Sequence, residues 1–172
     1  NSRKVLESLC EDDDVSNEAF PFFSIKNLSI SHLPCIAVRI SYIGELGWEI
    51  YTPTEYGLTL WDELKEKSQE FNIICSGAGA FESLRLEKGY RSLGADIHTN
   101  SNPYEAGLGF TVKLKKEQDF IGKEALTKLK QEPLKQKLCC MIMEDNEGMA
   151  LGKEPIYDES SKPVGYVTST NY

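Results

Sequence analysis

The stretch that decides how this sequence folds is YIGELGWE, which runs from Tyr42 to Glu49. Gly44 and Gly47 bracket a four-residue turn, and alternating apolar and polar residues lead into it. A hairpin closed in this way pairs Tyr42 with Glu49, and cross-strand partners share one face of a sheet with Cβ atoms about 4.5–5.5 Å apart. The octapeptide therefore predicts a phenol and a carboxylate side by side on one surface.

A phenol beside a carboxylate suits a flat heterocycle that carries adjacent N–H donors. The ring of such a ligand packs on the phenol of Tyr42, and the carboxylate of Glu49 accepts two parallel hydrogen bonds. The alternative interpretation is that Tyr42 and Glu49 form a surface pair that only decorates a sheet. The pattern alone leaves both interpretations open.

The surrounding pattern predicts an α+β fold. Alternation over residues 24–30 and 34–43 predicts two strands, and residues 49–51 return as a third. The predicted helices span residues 2–9, 78–88 and 123–131, and further strands lie near residues 137–143, 155–157 and 163–168. Gly89 is a suitable residue to end the helix at 78–88. The N-terminal part of the chain is thus predicted to mix helices and strands, and the C-terminal part is predicted to be all β.

Another helix is predicted directly after the third strand. Residues 52–55 read TPTE, a capping box with proline at the first helical position. Leu58, Trp61 and Leu64 then recur at helical spacing, with Leu60 beside them. These residues predict an amphipathic helix whose apolar stripe faces the core.

Composition and charge exclude several classes of function. The 172 residues carry a net charge of −8, which argues against a general nucleic-acid surface because such a surface needs clustered Lys and Arg. No apolar run approaches the roughly 20 residues of a membrane span. Residues 113–137 instead carry a net positive charge, with 8 lysines against 4 acidic residues. That stretch is either a solvated strand end with an exposed helix or an edge that attracts anions.

The residue types needed for metal binding or triad catalysis are scarce. Two histidines exclude a histidine-rich metal centre and give no support for a Ser/His/Asp constellation. Five cysteines, an odd number with no metal-knuckle spacing, predict reduced, packed thiols. Residues 77–82 begin like a dinucleotide fingerprint but lack its third glycine, so they predict a tight helix entry.

Four motifs in register resemble one known family. They are YIGELGWE at residues 42–49, SLRLEKG at residues 83–89, NPYEAGL at residues 102–108 and DFIGKEAL at residues 119–126. Together they resemble the folate-binding aminomethyltransferases, the glycine cleavage T-proteins. The resemblance covers nearly the whole chain in the right order, and it implies a T-protein-like folate-binding fold.

One branch of that family fits further segments of the chain. SNEAFPFF at residues 16–23, EYG at residues 55–57, GAF at residues 79–81 and LGKEP at residues 151–155 resemble dimethylglycine oxidase and dehydrogenase and the sarcosine dehydrogenases. In those oxidoreductases of one-carbon metabolism an N-terminal FAD domain oxidises an N-methyl amine. A C-terminal domain then captures the one-carbon unit as 5,10-methylenetetrahydrofolate. The resemblance implies that tetrahydrofolate binds here and that Tyr42 and Glu49 contact its pterin.

The resemblance also fixes expectations about domains. It implies that residues 1–125 belong to the folate-binding domain, with a ferredoxin-like α/β portion. Residues 126–172 would begin a C-terminal domain that resembles a β-barrel or jelly roll. The chain starts with Asn1 rather than Met, so we expect a fragment of a longer polypeptide that is inactive alone. No catalytic residue is predicted within the chain, because the functional aspartate of the family is expected upstream of Asn1.

One departure from the family concerns the tail of the folate. T-proteins usually have an arginine, linked to folate binding, where Phe81 stands. Phe81 cannot neutralise a carboxylate, so a T-protein-like grip on the glutamyl tail is not expected. This departure favours the oxidase and dehydrogenase branch.

Two alternatives to the fused flavoenzyme stay open. One is a separate aminomethyltransferase of glycine cleavage, and the other is a non-catalytic regulatory homologue that keeps the fold. The expected partners are a small-molecule substrate and an FAD domain in the same polypeptide, with no nucleic acid and no membrane. The expected location is the bacterial cytoplasm or the mitochondrial matrix. The sequence predicts neither the amine substrate nor the oligomeric state.

Overall fold

The computed structural model of the protein describes residues 2–10, 12–144 and 148–171. The chain divides after Lys88 into two compact units. Within the described residues the first unit contains three helices and a three-stranded sheet, and the second contains a short helix and a two-stranded hairpin. The predicted mixture of α and β structure is therefore confirmed. The domain boundary at residue 125 stays a prediction.

The first unit is built on an antiparallel sheet with the strand order β1-β2-β3. Its strands are β1 (Ile25–Ile30), β2 (Leu33–Val38) and β3 (Glu49–Tyr51). Its helices are α1 (Ser2–Leu9), α2 (Gly57–Phe71) and α3 (Ala78–Glu87), with a 3₁₀ turn over Thr54–Tyr56 before α2. These bounds confirm the predicted helices and strands of this region to within a few residues, except that β2 ends at Val38, before the predicted end at residue 43.

One face of the sheet forms the core of the first unit. Side chains alternate across a strand, so every second residue of β1 and β2 points inward. The buried inward residues are Leu28, Ile30, Cys35 and Ala37. Leu6 and Leu9 of α1 and Leu60 of α2 belong to the same buried cluster. The opposite, outer face of the sheet is left exposed, and there Ile36 is 47% exposed.

The start of α2 differs from the prediction. A 3₁₀ turn follows Pro53, and no side chain caps it. Thr52 instead donates its hydroxyl to the carbonyl of Pro34 across 3.0 Å. The predicted capping box is therefore wrong, because Thr52 directly follows β3 and its hydroxyl reaches a carbonyl of the neighbouring strand.

The buried face of α2 also differs from the predicted stripe. Leu60 is 7% exposed and Leu64, four residues later on the same side, packs against the core. Leu58 is 73% exposed because two helical residues turn it about 200° away from Leu60. Trp61 is exposed as well. The helix was predicted correctly, whereas two members of its stripe point to solvent.

The second unit has less regular structure. It contains a 3₁₀ turn (Gly109–Thr111), helix α4 (Lys123–Leu129) and the antiparallel strands β4 (Pro155–Tyr157) and β5 (Pro163–Tyr166). The strand predicted near residues 137–143 does not form, and Leu138 donates its N–H to the carbonyl of Glu105 instead of to a partner strand. No closed barrel forms within the described residues. The jelly-roll-like domain stays a prediction.

A helix needs about 20 predominantly apolar residues to cross a bilayer. The longest helix in the part of the chain that the structure describes, α2, has 15 residues. Within residues 2–10, 12–144 and 148–171, no helix is both long and apolar enough to cross a bilayer.

Candidate functional site

The structure separates the two predicted ligand residues along the strands. β2 and β3 pair so that Val38 lies opposite Glu49, and Ile36 lies opposite Tyr51. Tyr42 lies beyond the end of β2, in the loop of residues 39–48 that joins the two strands. The predicted cross-strand pair of Tyr42 and Glu49 is therefore wrong, since Val38 occupies the place predicted for Tyr42.

Contacts around Arg39 explain why β2 ends early. The N–H of Ile40 donates to the carbonyl of Val38 across 3.0 Å, which closes a three-residue turn. The guanidinium of Arg39 donates to the carbonyl of Phe20 and to Oδ1 of Asn17. The turn at Ile40 takes the chain out of the sheet before it reaches the glycine turn, and the side-chain bonds of Arg39 hold this point of the chain. Local alternation in the sequence did not reveal the side-chain bonds because Phe20 and Asn17 lie about twenty residues upstream.

Glu49 stands on the outer face of β3, where it is exposed. Tyr51 shares that face because it lies two residues further along the strand. Its phenol donates a hydrogen bond to Oε2 of Glu49 across 2.7 Å. This hydrogen bond, with the negative charge of Glu49, raises the pKa of Tyr51. The structure thus places a phenol beside the carboxylate, but the phenol is that of Tyr51. Sequence reasoning missed Tyr51, although residues two apart on one strand share a face.

An open groove runs along the outer face of the sheet next to Tyr51. Its volume of about 610 Å³ lies within the range of small-molecule sites. On this face β1 contributes the polar side chains of Asn27 and Ser29, and β2 contributes the apolar side chains of Pro34 and Ile36. Tyr51, the hydrogen-bond partner of Glu49, belongs to the lining of the groove.

The loop that carries Tyr42 rests on helix α3. The ring of Tyr42 lies 5.3 Å from that of Phe81, centroid to centroid, with 30° between the planes. Gly44 adopts φ +74°, and a Cβ there would lie 2.0 Å from Cγ of Lys88. Gly44 is therefore required both for its left-handed backbone and for the close approach of the Lys88 stem.

The far end of the loop is fixed to the core. Trp48 packs on Phe20, with ring centroids 6.2 Å apart, and the guanidinium of Arg3 lies 5.9 Å from the Trp48 ring. Ser2 donates its hydroxyl to the carbonyl of Leu46 across 2.6 Å. The loop is thus held at both ends, so Tyr42 occupies a defined position rather than a free one.

Two further predictions concern glycine and cysteine residues. Gly77 directly precedes α3, and its carbonyl accepts the N–H of Phe81 across 3.2 Å, which confirms the helix entry. All five cysteines are free thiols. Cys10 and Cys35 are buried as predicted, while the remaining three are exposed, which contradicts their predicted packing. Among the described residues no cluster of His, Cys, Asp and Glu has the arrangement of a metal site.

Comparison with known families and proteins adds the decisive observation. The profile of the GCVT N-terminal domain matches residues 1–116, about two thirds of the chain. The chain belongs to the GCVT N-terminal domain family. The matched range includes Tyr42, Glu49, Tyr51 and Phe81. The resemblance drawn from the sequence motifs is confirmed.

The chain is similar in sequence to enzymes of two kinds. The chain is 42% identical over 171 residues to human mitochondrial dimethylglycine dehydrogenase and 37% identical over 171 residues to human mitochondrial sarcosine dehydrogenase. It is 37% identical over 169 residues to the aminomethyltransferase of Halothermothrix orenii. The alignments cover 98–99% of this chain but only 20%, 18% and 46% of those relatives. The family member thus spans about a fifth of the dehydrogenases and just under half of the aminomethyltransferase.

Proposed function

We propose that this chain is the tetrahydrofolate-binding portion of an FAD-dependent enzyme that oxidises dimethylglycine or sarcosine. The enzyme would capture the released one-carbon unit as 5,10-methylenetetrahydrofolate. The observation that carries the proposal is the exposed carboxylate of Glu49, bonded to Tyr51 on the outer sheet face. It lies in a chain that is 42% identical to human dimethylglycine dehydrogenase.

The chemistry of Glu49 fits the donor-rich end of a pterin. Its Oε2 accepts one hydrogen bond from Tyr51, and within the described residues Oε1 has no hydrogen-bond partner. An ionised carboxylate has about four lone-pair sites, so it can accept further bonds from two adjacent N–H groups. We propose that Glu49 fixes the pterin through its amino group and ring N–H, and that Tyr42 packs against the ring.

Tetrahydrofolate supplies, when bound, the nitrogen atoms that take up the one-carbon unit. The residues of this chain orient it and present those atoms. Phe81 offers no charge to the glutamyl tail, so we propose that the tail points to solvent or to a basic edge. FAD would belong to another part of the polypeptide, and residues 1–172 alone would bind folate without turnover.

The relatives also support a second candidate function. The aminomethyltransferase of Halothermothrix orenii is 37% identical to this chain, which spans 46% of it. A separate aminomethyltransferase of glycine cleavage would use the same folate site. The mass of the native polypeptide distinguishes the two, because a fused FAD domain requires a chain several times the present length. The names of the relatives support a mitochondrial location for the first candidate and a bacterial one for the second.

Folate binding by the full-length protein tests the proposal. We expect Glu49→Gln to weaken tetrahydrofolate binding about tenfold or more, because hydrogen bonds to a charged group are worth about 1.5–3 kcal/mol. Oxidation of the amine should stay unchanged. Glu45→Gln is the matched control, since Glu45 is an exposed carboxylate in the neighbouring loop. Equal affinity of wild type and Glu49→Gln for tetrahydrofolate contradicts the assignment of Glu49.

A further inference from the structure

We infer that Phe81 is the positioning residue for Tyr42 and that it sets the orientation of the Tyr42 ring toward the bound pterin. The inference rests on the proposed function, because it concerns the same folate site. It goes beyond that function by giving a role to a residue of helix α3 that no folate contact requires.

The contact between Phe81 and Tyr42 has the geometry of an aromatic pair. Their ring centroids lie 5.3 Å apart with 30° between the planes, inside the range in which offset rings attract each other. A flat ligand that stacks on Tyr42 must use the face of the ring that Phe81 does not cover. The pair therefore fixes both the tilt of the Tyr42 ring and the side from which a pterin approaches.

Phe81 is placed to act as a rigid support. It lies in the first turn of α3 (Ala78–Glu87), and its N–H donates to the carbonyl of Gly77. Helix α3 meets the loop at a second point, where Lys88, just beyond its end, lies against Gly44. Because α3 contacts the loop both at Phe81 and at Lys88, the helix fixes the position of the Phe81 ring relative to the loop.

The exposure of Phe81 argues for a role other than core packing. Its side chain is 43% exposed, so removal of the ring uncovers little of the core. The buried cluster of the unit does not include Phe81. Because Phe81 lies outside the buried cluster and packs on the Tyr42 ring, we expect loss of the Phe81 ring to act on Tyr42.

A double-mutant cycle in the full-length protein tests the inference. Phe81→Leu should weaken tetrahydrofolate binding about three- to tenfold, the factor that corresponds to a lost aromatic pair, whereas Phe81→Tyr should keep the affinity. In a Tyr42→Leu background Phe81→Leu should cause no further loss, because Phe81 acts through Tyr42. Phe22→Leu is the matched control, since Phe22 is exposed and has its own ring partner, Phe23, at 4.5 Å.

The outcomes of this cycle distinguish a positioning role of Phe81 from a purely structural one, and the inference from the proposed function. A purely structural role of Phe81 predicts that Phe81→Leu lowers the unfolding temperature more than Phe22→Leu and weakens binding equally in both Tyr42 backgrounds. That result overturns the inference. If Glu49→Gln weakens tetrahydrofolate binding but Phe81→Leu leaves it unchanged, the inference about Phe81 is overturned and the proposed function is not. Absence of tetrahydrofolate binding by the wild type overturns the proposed function and the inference together.

Discussion

The phenol of Tyr51 donates a hydrogen bond to Oε2 of Glu49 across 2.7 Å on the outer face of β3. The two residues lie two apart on one strand, so they share a face without the help of a turn. The hydrogen bond orients the carboxylate and leaves its second oxygen available to a ligand. The phenol beside Glu49 thus comes from a neighbour on the same strand, whereas Tyr42 lies in the loop of residues 39–48 and packs on Phe81.

The first prediction concerns the pH dependence of this pair. Because the hydrogen bond and the charge of Glu49 raise the pKa of Tyr51, the phenol should ionise above its ordinary value of about 10. The hydrogen bond is present below that value and is lost as the pH rises through the raised pKa. Glu49→Gln should lower the pKa of Tyr51, which NMR titration of the assigned tyrosine ring signals measures. An unchanged titration curve in Glu49→Gln would show that Glu49 does not act on Tyr51.

A second prediction concerns Gly44. Gly44→Ala forces a side chain into φ +74° and into contact with Lys88, where the Cβ would lie 2.0 Å from Cγ. We expect the free energy of unfolding to fall by about 1–3 kcal/mol. Adding Lys88→Ala to Gly44→Ala should recover the stability lost to the clash with the Lys88 side chain. The loss caused by the left-handed backbone at residue 44 should remain.

The matched control for Gly44 is Gly79. Gly79 lies within α3, and a Cβ there meets nothing within 4 Å. Gly79→Ala should therefore raise the free energy of unfolding by about 0.5–1 kcal/mol, as alanine does in exposed helix positions. Urea unfolding of both variants measures the difference. A Gly44→Ala protein as stable as wild type would show that the loop does not hold this conformation.

A third prediction concerns the face of α2 that packs on the core. Leu60→Ala should lower the free energy of unfolding by about 2–4 kcal/mol, because Leu60 is 7% exposed and its removal leaves a cavity. Leu58→Ala should change it by no more than about 0.5 kcal/mol, because Leu58 is 73% exposed. Denaturant unfolding of this matched pair decides which leucine faces the core. The reverse order of the two effects would support the stripe expected from the sequence.

A fourth prediction concerns the reactivity of the cysteines. Burial, with the nearby negative charge of Asp13, raises the pKa of the Cys10 thiol to about 11. The thiolate is the reactive form, so iodoacetamide at neutral pH should modify the exposed Cys75, Cys139 and Cys140 well before Cys10. Asp13→Asn should lower the pKa of Cys10. Peptide mass spectrometry after timed alkylation gives the order, and early modification of Cys10 in the folded protein contradicts its burial.

Much of the local structure follows from local sequence signals. Helices α1 and α3 and strand β4 form where the periodicity and the terminating Gly89 predict them, because these signals act over a few residues. The loss of the strand near residues 137–143 shows the limit of such signals. A strand needs a partner, and Leu138 bonds to Glu105 instead.

Residue identity and motif order alone establish the family and indicate the α+β class, since both are properties of the chain. Which residue lies beside Glu49 depends on the tertiary structure. β2 ends at Val38, where the chain turns at Ile40, and the guanidinium of Arg39 holds this point against Phe20 and Asn17. Contacts between residues far apart in the chain have no signature in local alternation. That is why Tyr51, and not Tyr42, shares the strand face with Glu49, and why Tyr42 packs on Phe81.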